Sequence, residues 1–255
     1  MDPGLRTPLV DFFRRGEVAR DVKLLAAQGA FAPRALDQLA LLLVLKDDSD
    51  PEVATSASAT IERLPRPALE AFLGRPDVPQ EMRQYFAALG IAPGGVVEDA
   101  DAPLIDTSET VPDVPAAEGD EAAATTLAGL GVLEKMKLAT KGTREQRALL
   151  VRDPNRLVAA AVLSSPKLTE SEVEQFAKMA NVAEDVLRVI GTNRAWTKNY
   201  GVVAGLVRNP KTPLAISMTL LQRINDRDVK MLAIDRNIPD PLRIAARKRA
   251  QASRP

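Results

Sequence analysis

Apolar residues recur along this chain at helical spacing. Val173, Phe176, Ala177 and Ala180 fall at i, i+3, i+4 and i+7, as do Tyr200, Val203, Ala204 and Val207. Val182, Val186, Val189 and Ile190 repeat the pattern at +4, +7 and +8. The spacing predicts helices over about 169–179, 183–191 and 197–207, then about 213–223, 226–234 and 241–251, preceded by about 127–139, 144–152 and 154–164. Nearer the start, helices are expected at about 18–28 and 34–46, from Pro51 to about Leu64, and from Arg66-Pro67 to about Leu73. The run from Ala35 to Leu45 is apolar nearly all round, as a buried central helix would be.

The punctuation between these segments agrees with them. Thr143 with Gln146, and Thr169 with Glu172, have capping-box spacing. Asp50-Pro51, Asp153-Pro154, Thr212-Pro213 and Asp240-Pro241 each place a capping side chain before a proline. A proline in the first turn forfeits no helical hydrogen bond, so 19 prolines are compatible with an all-α chain. Between the two helical regions, Ala92-Pro93-Gly94-Gly95 breaks the pattern, and Pro103, Pro112 and Pro115 follow among Asp, Glu, Thr and Ala. Residues 92–126 therefore read as a disordered acidic, Pro/Ala-rich linker, between an N-terminal helical block (1–91) and a C-terminal basic helical-repeat block (127–255).

The C-terminal block repeats itself. Ser165-Pro166-Lys167 returns as Asn209-Pro210-Lys211, and Asn193 as Asn237, each 44 positions on. The segment Pro76-Asp77-Val78-Pro79 parallels Arg236-Asn237-Ile238-Pro239 at an offset of 160. Periods of about 40–47 residues are those of HEAT and armadillo arrays. The phrase Arg208-Asn209-Pro210-Lys211-Thr212-Pro213, followed by a Leu-rich helix, resembles the leucine-rich-repeat-variant and HEAT-like α-solenoids of bacteria. Weaker copies stand at Arg152-Asp153-Pro154-Asn155-Arg156-Leu157-Val158 and Arg236-Asn237-Ile238-Pro239. The resemblance covers 143–251 well and 20–90 loosely. It implies a short-helix HEAT/armadillo-like α-solenoid in two blocks, presenting a curved surface to a partner.

Composition narrows the chemistry. The chain has no cysteine and no histidine, which excludes disulfides, thiolate metal sites, Cys nucleophiles and every Ser-His triad. No phosphate-cradling glycine motif is present, and Asp47, Asp48 and Asp50 lack the later Gly and Glu of a calcium loop. The expectation is a chain that is not an enzyme, with no metal and no cofactor. No apolar run reaches the length of a signal peptide or membrane span, so a cytoplasmic protein without membrane insertion is expected. The formal charge of zero hides a polarity: net −2 over residues 1–91, −9 over 92–126 and +11 over 127–255. The acidic stretch is a spacer or a shield for the basic end, with the spacer favoured by its composition.

Three polar groups are candidates for contact with a partner. Arg194, Trp196, Lys198, Asn199, Tyr200, Arg208 and Lys211 form the densest, and include the only Trp. Trp and Tyr supply rigid contact area, and Arg and Lys hold a carboxylate or phosphate. The plainer alternative makes Trp196 a junction staple and Tyr200 a core residue. Arg243, Arg247, Lys248, Arg249 and Arg254 are a phosphate-binding tail or a solvated last helix. Arg144, Arg147, Arg152 and Arg156 form a third group, as a ridge between two helices. The function expected is a non-catalytic scaffold that binds a partner protein. The alternative is a nucleic-acid binder using the basic C-terminal block.

Overall fold

The computed structural model describes residues 4, 7–30, 32, 34–94, 102–105, 127 and 129–252. Among these the chain forms fifteen α-helices, one 3-10 turn and no strand. No helix of the described residues is long and apolar enough to cross a membrane.

The helices divide between two compact units: residues 1–143 with 160–166, and residues 144–159 with 167–255. The division thus falls at 143/144 and within the helix Arg156–Leu163, away from the 92–126 stretch. Most of that stretch lies outside the described residues. Ala102–Ile105 is an exception and holds a defined place against the N-terminal unit.

The N-terminal unit contains α1 (Pro8–Arg14), α2 (Arg20–Ala27), α3 (Ala35–Leu45), α4 (Pro51–Glu62), α5 (Arg66–Leu73), α6 (Gln80–Ala88) and α7 (Val132–Lys141). Sequence periodicity missed α1, a helix of only seven residues started by the Thr7 cap and Pro8. As its composition predicts, α3 is central: Leu39, Leu41, Leu42, Leu43 and Leu45 are all buried, and it packs on α1, α2 and α4. Asp50 caps α4 through the Glu52 N–H at 3.0 Å, with Pro51 in the first turn.

The second unit contains α8 (Arg144–Leu150), part of α9 (Arg156–Leu163), α10 (Glu170–Lys178), α11 (Glu184–Thr192), the 3-10 turn Trp196–Lys198, α12 (Tyr200–Arg208), α13 (Leu214–Leu221), α14 (Asp226–Leu232) and α15 (Asp240–Ala252). Its helix pairs α10/α12, α12/α13 and α14/α15 are in close contact. Two apolar faces differ from expectation. On α11 the buried set is Val186, Leu187 and Ile190, without Val189. On α12 it is Val202, Val203, Leu206 and Val207, while Tyr200 stands 42% exposed.

Burial keeps register across the chain. At an offset of 44, Val158 matches Val202, Val162 matches Leu206, Val173 matches Ser217 and Phe176 matches Leu220, all buried. The spacing then tightens. Leu187 and Ile190 match Val229 and Leu232 at 42, and Val202 and Leu206 match Leu242 and Ala246 at 40. The helices α12 and α15 thus correspond at a step of 40 rather than the 44 at which Asn193 returns as Asn237, mainly because α13 and α14, of 8 and 7 residues, are shorter than α10 and α11, of 9 each.

A longer match joins the two units. Shifted by 160, the buried positions of α4–α6 fall on those of α13–α15: Ala57 on Ser217, Ile61 on Leu221, Leu64 on Ile224, Leu69 on Val229, Phe72 on Leu232, Val78 on Ile238, Met82 on Leu242 and Phe86 on Ala246. One three-helix pattern of burial occurs in both units.

Candidate functional site

The sequence of α12, Tyr-Gly-Val-Val-Ala-Gly-Leu-Val-Arg, puts its bulk on one side. Gly201, Ala204, Gly205 and Arg208 follow the i, i+3, i+4, i+7 rule and leave the opposite face nearly bare. That bareness lets α10 approach. The Glu174 carboxylate lies where a Gly201 side chain would stand, and a Cβ on Gly205 would meet Lys178 Cγ at 3.1 Å and Ala177 Cβ at 3.2 Å. A cleft of about 400 Å³ opens beside this face. Tyr200 and Arg208 line it from α12, Lys178 from α10, Asp228 from α14, and Asn209-Pro210 from the following turn.

Asp228 joins the two walls. Its carboxylate accepts a hydrogen bond from the Tyr200 hydroxyl and pairs with Arg208 Nη2 at 2.5 Å. The backbone N–H of Asp228 donates to Asn225 Oδ1 at 2.8 Å, which caps α14. Partial burial, and then the bond to Asp228, push the Tyr200 hydroxyl above its ordinary value, so it remains a protonated donor at neutral pH. Lys178 Nζ pairs with Glu174 at 2.6 Å on the same helix. The cleft thus offers an aromatic edge, two cations each shared with a carboxylate, and a floor of helix backbone. These are groups that hold a ligand. Among the described residues no cluster of three carboxylates has metal-binding geometry.

Of the residues singled out in sequence, Tyr200 and Arg208 come together here. Asn199 caps α12, accepting the Gly201 N–H at 2.8 Å. Trp196 begins the 3-10 turn, half-buried, with its backbone N–H donating to Asn193 Oδ1 at 3.3 Å. Arg194, Lys198 and Lys211 are exposed and do not line the cleft. The reading of Tyr200 as a core residue is corrected: the sheared face of α12 buries Val202 and Val203 instead.

The two arginine groups also differ from expectation. Arg147 points inward to Glu172 at 2.8 Å, Arg156 pairs with Asp185 at 3.1 Å, and Arg152 bonds the Ala148 carbonyl at 2.8 Å, so these side chains form no common ridge. In α15, Arg247 donates to the Ala233 carbonyl at 2.8 Å and Arg249 to the Ile224 carbonyl at 2.6 Å. They satisfy carbonyls at preceding helix ends and do not form a free tail. Arg254 lies outside the described residues.

Sequence reasoning missed Lys178 and Asp228, whose neighbours in sequence carry no sign of the cleft. It also missed the row beyond Asp228. One turn further along α14 stands Met231, 56% exposed, and three residues on Ile234, 69% exposed. Neither a protein-family model, nor a curated protein, nor a solved structure matches this chain.

Proposed function

We propose that the chain is a non-catalytic scaffold of HEAT-like or leucine-rich-repeat-variant type, acting in the cytoplasm, that binds a partner protein through the α12–α14 face. The observation that carries this reading is the exposure of Met231 and Ile234 next to the Tyr200–Asp228–Arg208 cleft. Tyr, Arg and Met are side chains that dominate interface cores. The fold does not require Ile234 to be apolar: at the matching positions 160 residues earlier stand an exposed Gly74 and, for the exposed Ile244 of α15, an exposed Gln84, while Met231 matches a buried Ala71. A partner covering the exposed parts of Met231 and Ile234 would gain roughly 1–2 kcal/mol from each.

The test uses the full chain as bait, beside a Met231→Asp/Ile234→Asp double variant and Arg208→Glu, after nuclease treatment. Both changes are on exposed side chains, so circular dichroism should match the natural chain. A protein retained by the natural chain and reduced at least tenfold by both variants supports the proposal. Retention that both variants leave unchanged overturns it.

A second reading has its own observation. Arg194, Lys198, Lys211, Arg227 and Lys230 are exposed in the second unit, and none has an ion-pair partner among the described residues. Unneutralised cations are what a nucleic-acid backbone selects. Gel shifts of the full chain with duplex DNA and with RNA, over a range of salt, decide it: binding that falls steeply with salt favours nucleic acid, and no binding at low salt removes it.

A further inference from the structure

Gln38 is fully buried in the first turn of α3, within the most apolar helix of the N-terminal unit. A buried amide is costly unless its donors and acceptor are matched. Its partners are unusual. Nε2 donates to the Gly29 carbonyl at 2.8 Å and to the Ile105 carbonyl at 2.9 Å, while Oε1 accepts the Ile105 N–H at 3.0 Å. The side chain therefore reads both backbone groups of one residue, as a neighbouring strand would. That residue is 67 positions away, in the short stretch Ala102–Ile105 that is seated on the unit.

The Ile105 side chain has its own receptor. Gly29 has φ +93°, a conformation that favours glycine, and a Cβ there would lie 3.5 Å from Ile105 Cβ and Cγ2 and 3.3 Å from Gln38 Nε2. Ile105 thus packs at ordinary contact distance on the Gly29 backbone, whose positive φ calls for glycine, while the Gly29 carbonyl orients the Gln38 amide. Pro103, Leu104 and Ile105 are each half-buried, and Asp101 and Asp106 flank the segment in sequence.

We propose that the N-terminal unit carries a peptide-binding site centred on Gln38 and Gly29, closed in cis by the chain's own Pro103-Leu104-Ile105. The site accepts an extended segment with a β-branched residue at the clamped position. Backbone pairing to Gln38 gives the affinity, and contact with Gly29 gives the choice of side chain. A tethered segment competes at an effective concentration on the order of millimolar, so a partner's segment binds only when the chain's own has left. This site is independent of the α12–α14 face.

The probe is a fluorescent peptide with the sequence of residues 99–107, added to the full chain and followed by anisotropy. An Ile105→Asp chain, whose own segment is unseated, should bind the peptide at least tenfold more tightly than the natural chain. Adding Gln38→Met to that chain should abolish binding, and a peptide carrying Asp at the isoleucine should not bind. Equal binding to the natural and Ile105→Asp chains, or binding that survives Gln38→Met, overturns the proposal. A second measurement needs no variant. In the natural chain the Ile105 amide should exchange with solvent at least tenfold more slowly than an unstructured amide, and exchange at the unstructured rate overturns the seated segment itself.

Discussion

The carboxylate of Glu172 is divided between two tasks. One oxygen accepts the Thr169 N–H at 3.0 Å and the Thr169 hydroxyl at 2.8 Å, closing the capping box at the start of α10. The other pairs with Arg147, whose Nη2 stands 2.8 Å away and whose Nε stands 2.9 Å away. The two side chains are 5% and 1% exposed. In sequence Glu172 looks like its neighbours Glu170 and Glu174, acids at a helix start, and the Thr-x-x-Glu spacing announces only the cap. The buried pair was invisible because Arg147 lies 25 residues away on another helix. Removing one charge from such a pair leaves the other buried without compensation. Glu172→Gln is expected to destabilise the chain by about 3–5 kcal/mol in urea unfolding. Arg147→Met together with Glu172→Gln is expected to recover much of that loss. If the double variant is no more stable than Glu172→Gln alone, the loss lies in the cap and not in the ion pair.

Junctions between helices are held by Asn and Asp side chains, and they differ in how much they hold. At Asn209, 4% exposed, Oδ1 accepts the Lys211 N–H at 3.0 Å while Nδ2 donates to the carbonyls of Ala177 and Met179 at 3.0 and 2.9 Å. The side chain ends one helix, begins the next turn and ties both to the end of α10. At Asn193 the Oδ1 accepts only from its own turn, at Ala195 and Trp196. Asn209→Ala is therefore expected to cost about 3 kcal/mol, leaving the buried Ala177 carbonyl and the half-buried Met179 carbonyl without this donor, and Asn193→Ala about 1 kcal/mol. Equal losses in thermal or urea unfolding would show that Asn209 acts only as a turn residue. Elements of this kind were largely legible: Asp50-Pro51 and Thr169 with Glu172 place the starts of α4 and α10 within a residue. Thr212-Pro213 gave the right boundary for a different reason, since Pro213 occupies the cap and the buried Thr212 hydroxyl makes no hydrogen bond. Periodicity placed the helices and named two buried residues of α12, Val203 and Val207, but set the rest of its inner face on the wrong side. Tyr200 and Ala204 satisfy the helical spacing as well as Val202 and Leu206 do, and only the packing of α10 against Gly201 and Gly205 decides between them.

At the scale of the molecule, acid stability is written into the N-terminal unit. Arg20 bonds the Asp50 carboxylate at 2.6 Å and lowers it below the usual range, and Arg75 does the same to Asp77. Burial works to raise Asp48, but the ammonium of Lys23 at 2.8 Å and the Asp50 N–H at 3.0 Å together outweigh it, and Asp48 too is lowered. A carboxylate whose folded value is depressed stabilises the fold fully above its unfolded value, about 3.9 for Asp, and that contribution disappears as pH falls through the folded value. Amides of α2 to α4 should therefore lose protection below about pH 4. Lys23→Met, which leaves the half-buried Asp48 without its cation, should lower protection at neutral pH and shrink the further loss below about pH 4, because an ionised Asp48 then no longer favours the fold. An unchanged loss between neutral pH and about pH 4 would show that Lys23 does not contribute to it. The seated Ile105 bears on how the molecule assembles in time. Closely packed helix pairs within each unit join elements no more than two apart in the chain, so they need little loop closure and can form as the polypeptide lengthens from its amino end. The bond from Gln38 spans 67 residues and cannot close until the segment has been synthesised. On the ribosome, α3 would thus spend an interval with its amide groove vacant, and a chaperone or neighbouring nascent chain bearing a suitable strand could reach Gln38 before the protein's own segment does.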